Sequence, residues 1–109
     1  MSINAFNPMG NTVAFTANTA APSAVQATGA GLGCNQYEVF NAGTVVVFLG
    51  WGTTAATANT NATVVTTTGA GYPLLPGTDK ILSAPPNAYF TGITSSGTAT
   101  IYVTPGEGV

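Results

Sequence analysis

Charge is what this sequence has least of: its 109 residues include a single lysine, no arginine, no histidine and only three carboxylates. Charged residues make up 4% of the chain, against roughly a quarter in an ordinary soluble domain. Each deficit excludes a class of function. Nucleic-acid binding by counterion release needs several basic side chains, and Lys80 alone cannot provide them. An anionic membrane surface is excluded on the same ground. The longest apolar run, Val45–Leu49, is far too short for a membrane-spanning helix, which needs about 20 residues. Without histidine there is no side chain that titrates near neutrality unaided, so general acid–base catalysis lacks its usual agent and the chain reads as non-catalytic. Cys34 is the only cysteine, which excludes an internal disulfide and a cysteine-based zinc site and leaves a free, buried thiol as the simplest reading. The opening Met1-Ser2-Ile3-Asn4 has no basic segment followed by an apolar stretch, so the expectation is a protein made and used without export.

The hydrophobic fraction of 45% is ample for one core, and a chain of this length is expected to form a single domain. With so little charge, the surface falls to Thr, Ser, Asn, Gly and Ala. Little repulsion then keeps copies apart, which favours association.

The texture is β throughout. Thr, Val, Tyr and Phe are frequent, the residues that fill helix surfaces are scarce, and Gly and Pro punctuate at short intervals. Residues 1–10 read as an extended arm carrying Ile3 and Phe6, and residues 11–109 as the β domain. A strand is expected over Asn11–Ala17. Gln36–Phe40, with Tyr37 and Val39 on one face, leads through the turn Asn41-Ala42-Gly43 into a strand at Thr44–Trp51, a predicted hairpin whose glycine takes the left-handed conformation. Val45–Leu49 is apolar on both faces and so demands cover on both, from a second sheet or a neighbouring subunit. Gly52–Ala62 reads as an exposed loop or weak edge, and Thr63–Thr67 as a short strand. Proline sets corners around a strand at Lys80–Ser83. Tyr89–Thr94 and Thr98–Thr104 form a second predicted hairpin about Ser95-Ser96-Gly97, with Ala99, Ile101 and Val103 facing one way and Tyr102 the other. The expected fold is an all-β, single-domain β-sandwich of jelly-roll type.

Candidate sites are few. Gly29-Ala30-Gly31-Leu32-Gly33 lacks the third spaced glycine of a dinucleotide loop and the lysine of a phosphate loop, so it reads as loop. Glu38, Asp79 and Glu107 are too scattered to predict a metal site or an acid–base pair. Asn61-Ala62-Thr63 matches a glycosylation sequon by chance in a Thr- and Asn-rich stretch. Tyr89, Phe90 and Tyr102 are expected to form a cross-strand aromatic set, and Trp51, Tyr72 or Tyr89 offer a stacking platform for a glycan. No catalytic, cofactor-binding or metal residue is assigned.

Phe40-Asn41-Ala42-Gly43-Thr44-Val45-Val46-Val47, Gly50-Trp51-Gly52, Leu75-Pro76-Gly77, and the stretch from Ala84-Pro85-Pro86-Asn87 through Gly97-Thr98-Ala99-Thr100-Ile101-Tyr102-Val103-Thr104-Pro105-Gly106-Glu107-Gly108 share one style. It resembles small structural proteins of tailed bacteriophages: capsid decoration or cement proteins, and attachment modules of head and tail fibres. The likeness spans roughly residues 36–108 and is one of pattern, with no chemical motif. It implies a β-sandwich or jelly-roll subunit present in many copies on the virion, assembled in the host bacterial cytoplasm, bridging junctions of the major capsid protein as a dimer or trimer of itself. A tail or fibre-base component is the structural alternative, and a glycan-binding β-sandwich the alternative of another class. Ile3, Phe6, Val46, Phe48, Trp51 and Tyr102 are the candidate assembly contacts. No cofactor, nucleic acid or membrane enters this picture.

Overall fold

Two antiparallel sheets pack face to face in the computed structural model of this chain, which describes residues 7–28, 36–65 and 68–107. In chain order the elements are β1 (Asn7–Pro8), β2 (Val13–Ala17), β3 (Val25–Gln26), β4 (Gln36–Asn41), β5 (Val47–Gly52), α1 (Ala55–Asn61), β6 (Tyr72–Leu74), β7 (Asp79–Ser83), β8 (Tyr89–Ile93) and β9 (Ala99–Glu107). The first sheet runs β1-β9-β4-β7, with β2 following β1 along the same edge of β9. The second runs β3-β8-β5-β6. The chain therefore changes sheet at almost every connection, and among the described residues β5 and β6 are the only consecutive strands that pair. The expectations at Ile3, Phe6, Cys34 and the Gly29–Gly33 run lie outside the described residues.

Period-2 alternation accounts for the core. On β4, Tyr37, Val39 and Asn41 are fully buried between half-buried or exposed neighbours; on β9, Ala99, Ile101 and Val103 are buried and Tyr102 is exposed. Opposite them, Val47 and Leu49 of β5, Leu74 of β6 and Phe90 of β8 close the second sheet onto the same cluster, with Phe15 and Ala17 of β2. The Tyr37 and Phe90 rings meet edge to face across the two sheets, centroids 4.9 Å apart. The Tyr37 hydroxyl keeps its polar end satisfied: it donates to the Pro85 carbonyl at 2.7 Å and accepts from the Ala88 amide at 3.3 Å.

Both predicted hairpins are corrected. β4 and β5 lie in different sheets, as do β8 and β9, so each turn carries the chain across the sandwich. The local signal, a short turn between two apolar strands, is common to both geometries. What turns β4 outward from its own sheet is the buried Asn41. Its amide nitrogen donates to the carbonyls of Val45 (2.9 Å) and Leu74 (3.0 Å), and its side-chain oxygen accepts from the Gly43 amide (2.9 Å). The left-handed glycines among the described residues are Gly77 and Gly97, not Gly43. Gly43 is needed for close approach instead, since a Cβ there would lie 2.3 Å from that of Ala99.

The stretch Gly52–Ala62, expected as loop, contains the helix α1. Thr54 caps it by accepting from the Thr57 amide at 3.1 Å, and the alanines Ala55, Ala56 and Ala58 are the strongest helix formers. The helix lies on the outer face of the second sheet, over β5 and β8. Gly50 and Gly52 make its seat: a Cβ at Gly50 would stand 2.4 Å from the Ala58 carbonyl, and one at Gly52 2.6 Å from the Thr57 methyl. Asn61 donates to the Trp51 carbonyl (2.9 Å), pinning the far end. The inner face of β5, with Val47 and Leu49, is buried against the first sheet, while on its outer face α1 sits over Gly50 and Gly52 and Phe48 stays half-buried. Residues 63–65 of the expected strand Thr63–Thr67 are irregular, while Tyr72–Leu74, expected as a proline corner, is strand β6.

Candidate assembly surface

The outer face of the first sheet is not covered by the helix, and among the described residues it carries three of the six exposed large apolar side chains; Trp51, Tyr72 and Leu75 lie outside its strands. Register places Phe40 of β4 directly opposite Tyr102 of β9 on one side and Asp79 of β7 on the other; the next row is Thr104, Glu38 and Ile81. Phe40 (39% exposed), Ile81 (39%) and Tyr102 (42%) therefore stand on neighbouring positions of three adjacent strands. Singly exposed apolar side chains are ordinary, whereas a contiguous group on one face marks a surface meant to be covered. Around it lie Ala14 in the Tyr102 row and a bond between the hydroxyls of Thr12 and Thr104 (2.7 Å).

Glu38 and Asp79 border this patch, diagonal to one another across the β4–β7 pair. A hydrogen bond to the Asp79 carboxyl pushes the Glu38 pKa above its ordinary value, and partial burial and the neighbouring charge act in the same direction. The only side-chain cation of the chain, Lys80, falls on the opposite side of β7, in register with Val39.

The sequence-derived contacts do not form one surface. Tyr102 is on the patch. Phe48 is half-buried on the outer face of the second sheet, in register with Pro73 and Ile93, with the Gly71 backbone against it (a Cβ at Gly71 would lie 2.9 Å from that of Phe48). Val46 is half-buried in the connection preceding β5. Trp51, 36% exposed, ends β5 on the face opposite Phe48, in register with the buried Phe90. The expected aromatic set is likewise divided: Phe90 is core, Tyr102 is exposed on the other sheet, and Tyr89 is half-buried. Phe40 and Ile81, the other members of the patch, are not among the sequence-derived contacts. Their signal was position: Phe40 is out of phase with Tyr37 and Val39, and so must face away from the core.

Among the described residues there is no pocket and no cluster of three or more potential metal ligands. No helix among them is long and apolar enough to cross a membrane. Comparison with protein-family models, with curated proteins and with solved structures finds no match to this chain.

Proposed function

We propose that this chain is a non-catalytic structural subunit of a tailed-phage virion, a decoration protein that binds across junctions of the major capsid protein, with the outer face of the first sheet as its contact surface. The observation that carries the reading is the patch of Phe40, Ile81 and Tyr102, exposed on the outer face of the first sheet in a chain almost without charge. A lone molecule gains nothing from three adjacent exposed apolar side chains, and one covered by a partner does.

The finer fold reading is a jelly roll with an N-terminal arm; of the expected arm 1–10, Asn7 and Pro8 form β1 against Glu107 and Gly106 of the chain's own β9, which corrects its boundary. Supporting it is the strand order: β2-β9-β4-β7 in one sheet and β3-β8-β5-β6 in the other is the order obtained when four antiparallel strand pairs (β2–β9, β3–β8, β4–β7 and β5–β6) wrap around a sandwich. That architecture occurs in viral capsid and lectin domains alike, so it supports a virion role without requiring one.

The reading is tested by adding purified protein to shells assembled from the major capsid protein alone and imaging them. Regularly spaced copies over the shell are expected. Copies confined to one vertex or to tails would place the chain at the tail or fibre base, and bare shells would end the decoration reading. A glycan-binding role has one observation in its favour: Trp51 and Tyr72 are exposed on the same side of the second sheet, diagonal across β5 and β6. Binding on a glycan array that disappears in Trp51→Ala would support it.

A further inference from the structure

We propose that the outer face of the first sheet docks a different polypeptide through an arginine side chain that stacks on Phe40 and Tyr102 and pairs with the carboxyl groups of Glu38 and Asp79. The inference rests on the shell-binding reading only for the identity of the partner; its chemistry follows from the face itself.

Two features coincide there. Phe40 and Tyr102 are directly opposed cross-strand neighbours, both exposed on an otherwise small-residue surface of Ala14, Thr100 and Thr104. Asp79 is the next residue in the same row and Glu38 is diagonal to it, so the aromatic pair is bordered by two acidic groups. A planar guanidinium satisfies both at once: its face stacks on aromatic rings while its edge donates in a fork to carboxyl oxygens. An ammonium group is also drawn to an aromatic face, but it has no plane to stack on the rings and no fork to pair with both carboxyl groups.

Charge complementarity also decides against a second copy. Two copies meeting by this face would bring four carboxyl groups together, and the single side-chain cation, Lys80, lies on the other side of β7. The partner must therefore supply positive charge that this chain lacks. Strand addition at the β7 edge is disfavoured as well, because Asp79 and Lys80 put adjacent charges on that edge strand.

The experiment is a titration of isotope-labelled full-length protein, near neutral pH and at low salt, with the blocked tripeptide acetyl-Gly-Arg-Gly-amide, followed by amide chemical shifts. Parallel titrations use the Lys counterpart and cellotriose. The expected result is a set of shifts confined to residues 38–40, 79–81 and 102–104, stronger with arginine than with lysine. Binding should weaken roughly two- to fivefold in the double variant Glu38→Gln, Asp79→Asn, and similarly in Tyr102→Ala, in keeping with the loss of an exposed ion pair or of an exposed cation–aromatic contact. These positions are at the surface, so the variants fold, and circular dichroism verifies it. Shifts absent at any soluble concentration, scattered over the molecule, equal for lysine, unchanged in the variants, or larger with cellotriose would each overturn the proposal. Shell imaging separates it from the reading above. If shells stay bare while the arginine peptide binds this face, the shell-binding reading falls and the inference stands. If shells recruit the double variant as well as the unaltered protein, the inference falls and the reading stands.

Discussion

Gly50 lies directly beneath the carbonyl of Ala58, so that the missing Cβ, if present, would stand 2.4 Å from that oxygen. This contact is what lets a seven-residue helix lie against the outer face of β5, over Gly50 and Gly52.

The Gly50→Ala variant is therefore expected to be destabilised by about 1–3 kcal/mol, the usual range for forcing a methyl group into a packed contact. A methyl at Gly50 meets backbone atoms of α1, so the helix must lift and cannot relax by a side-chain turn. Thermal unfolding measures this. An unchanged Tm would show that α1 is not seated as described.

Asn41→Leu removes three hydrogen bonds at a fully buried position and leaves the carbonyls of Val45 and Leu74 to find other partners. Each buried group left unsatisfied costs about 1–3 kcal/mol, so a loss of roughly 2–5 kcal/mol is expected in chemical denaturation. A loss below that range would mean that the chain crosses between the sheets without help from Asn41.

Glu38 gives a pH dependence whose sign is fixed. Its folded pKa lies above the unfolded value, so the protonated form is favoured by folding. The associated stability is fully present below the unfolded value of about 4.3 and is lost as pH rises through the raised folded value. Glu38→Gln keeps a neutral donor facing Asp79 at every pH. Its unfolding free energy should match that of the unaltered protein under acidic conditions and exceed it at neutral pH, by less than about 1 kcal/mol once solvent screening is allowed for. A variant less stable at neutral pH would contradict the bonded carboxyl pair.

Val47→Asp places a charge at a fully buried position between the two sheets, with no cation in reach of the core. Isolating a charge in such a site costs far more than a small domain can spare, and the variant should fail to give soluble folded protein. Folded, soluble Val47→Asp would show the core to be misplaced.

These particulars show where the sequence was readable. Alternation on β4 and β9 placed Tyr37, Val39, Ala99, Ile101 and Val103 on the buried side and Tyr102 outside, because a pleated strand leaves no other choice. Pairing partners were not readable: a short turn between apolar strands serves a hairpin and a sheet-to-sheet crossing equally, and the deciding group, Asn41, acts through a carbonyl 33 residues away. The helix α1 was hidden for a similar reason. It has no amphipathic stripe, and it is held by small residues against Gly50 and Gly52; the local clue was a capping threonine, Thr54, ahead of two alanines. Of the surface patch, the sequence marked Tyr102 but not Phe40 and Ile81, whose adjacency exists only once β4 is paired with both β9 and β7. The same pairing brings Glu38 and Asp79 together from 41 positions apart.

The most direct test of the account is to image, at side-chain resolution, shells of the major capsid protein that have taken up this chain. The account predicts that the face bearing Phe40, Ile81 and Tyr102 lies against the shell protein, with an arginine of that protein between the aromatic rings and the Glu38–Asp79 pair. A bound chain whose β4, β7 and β9 face looks into solvent, with α1 or the Trp51 end touching the shell, would contradict it.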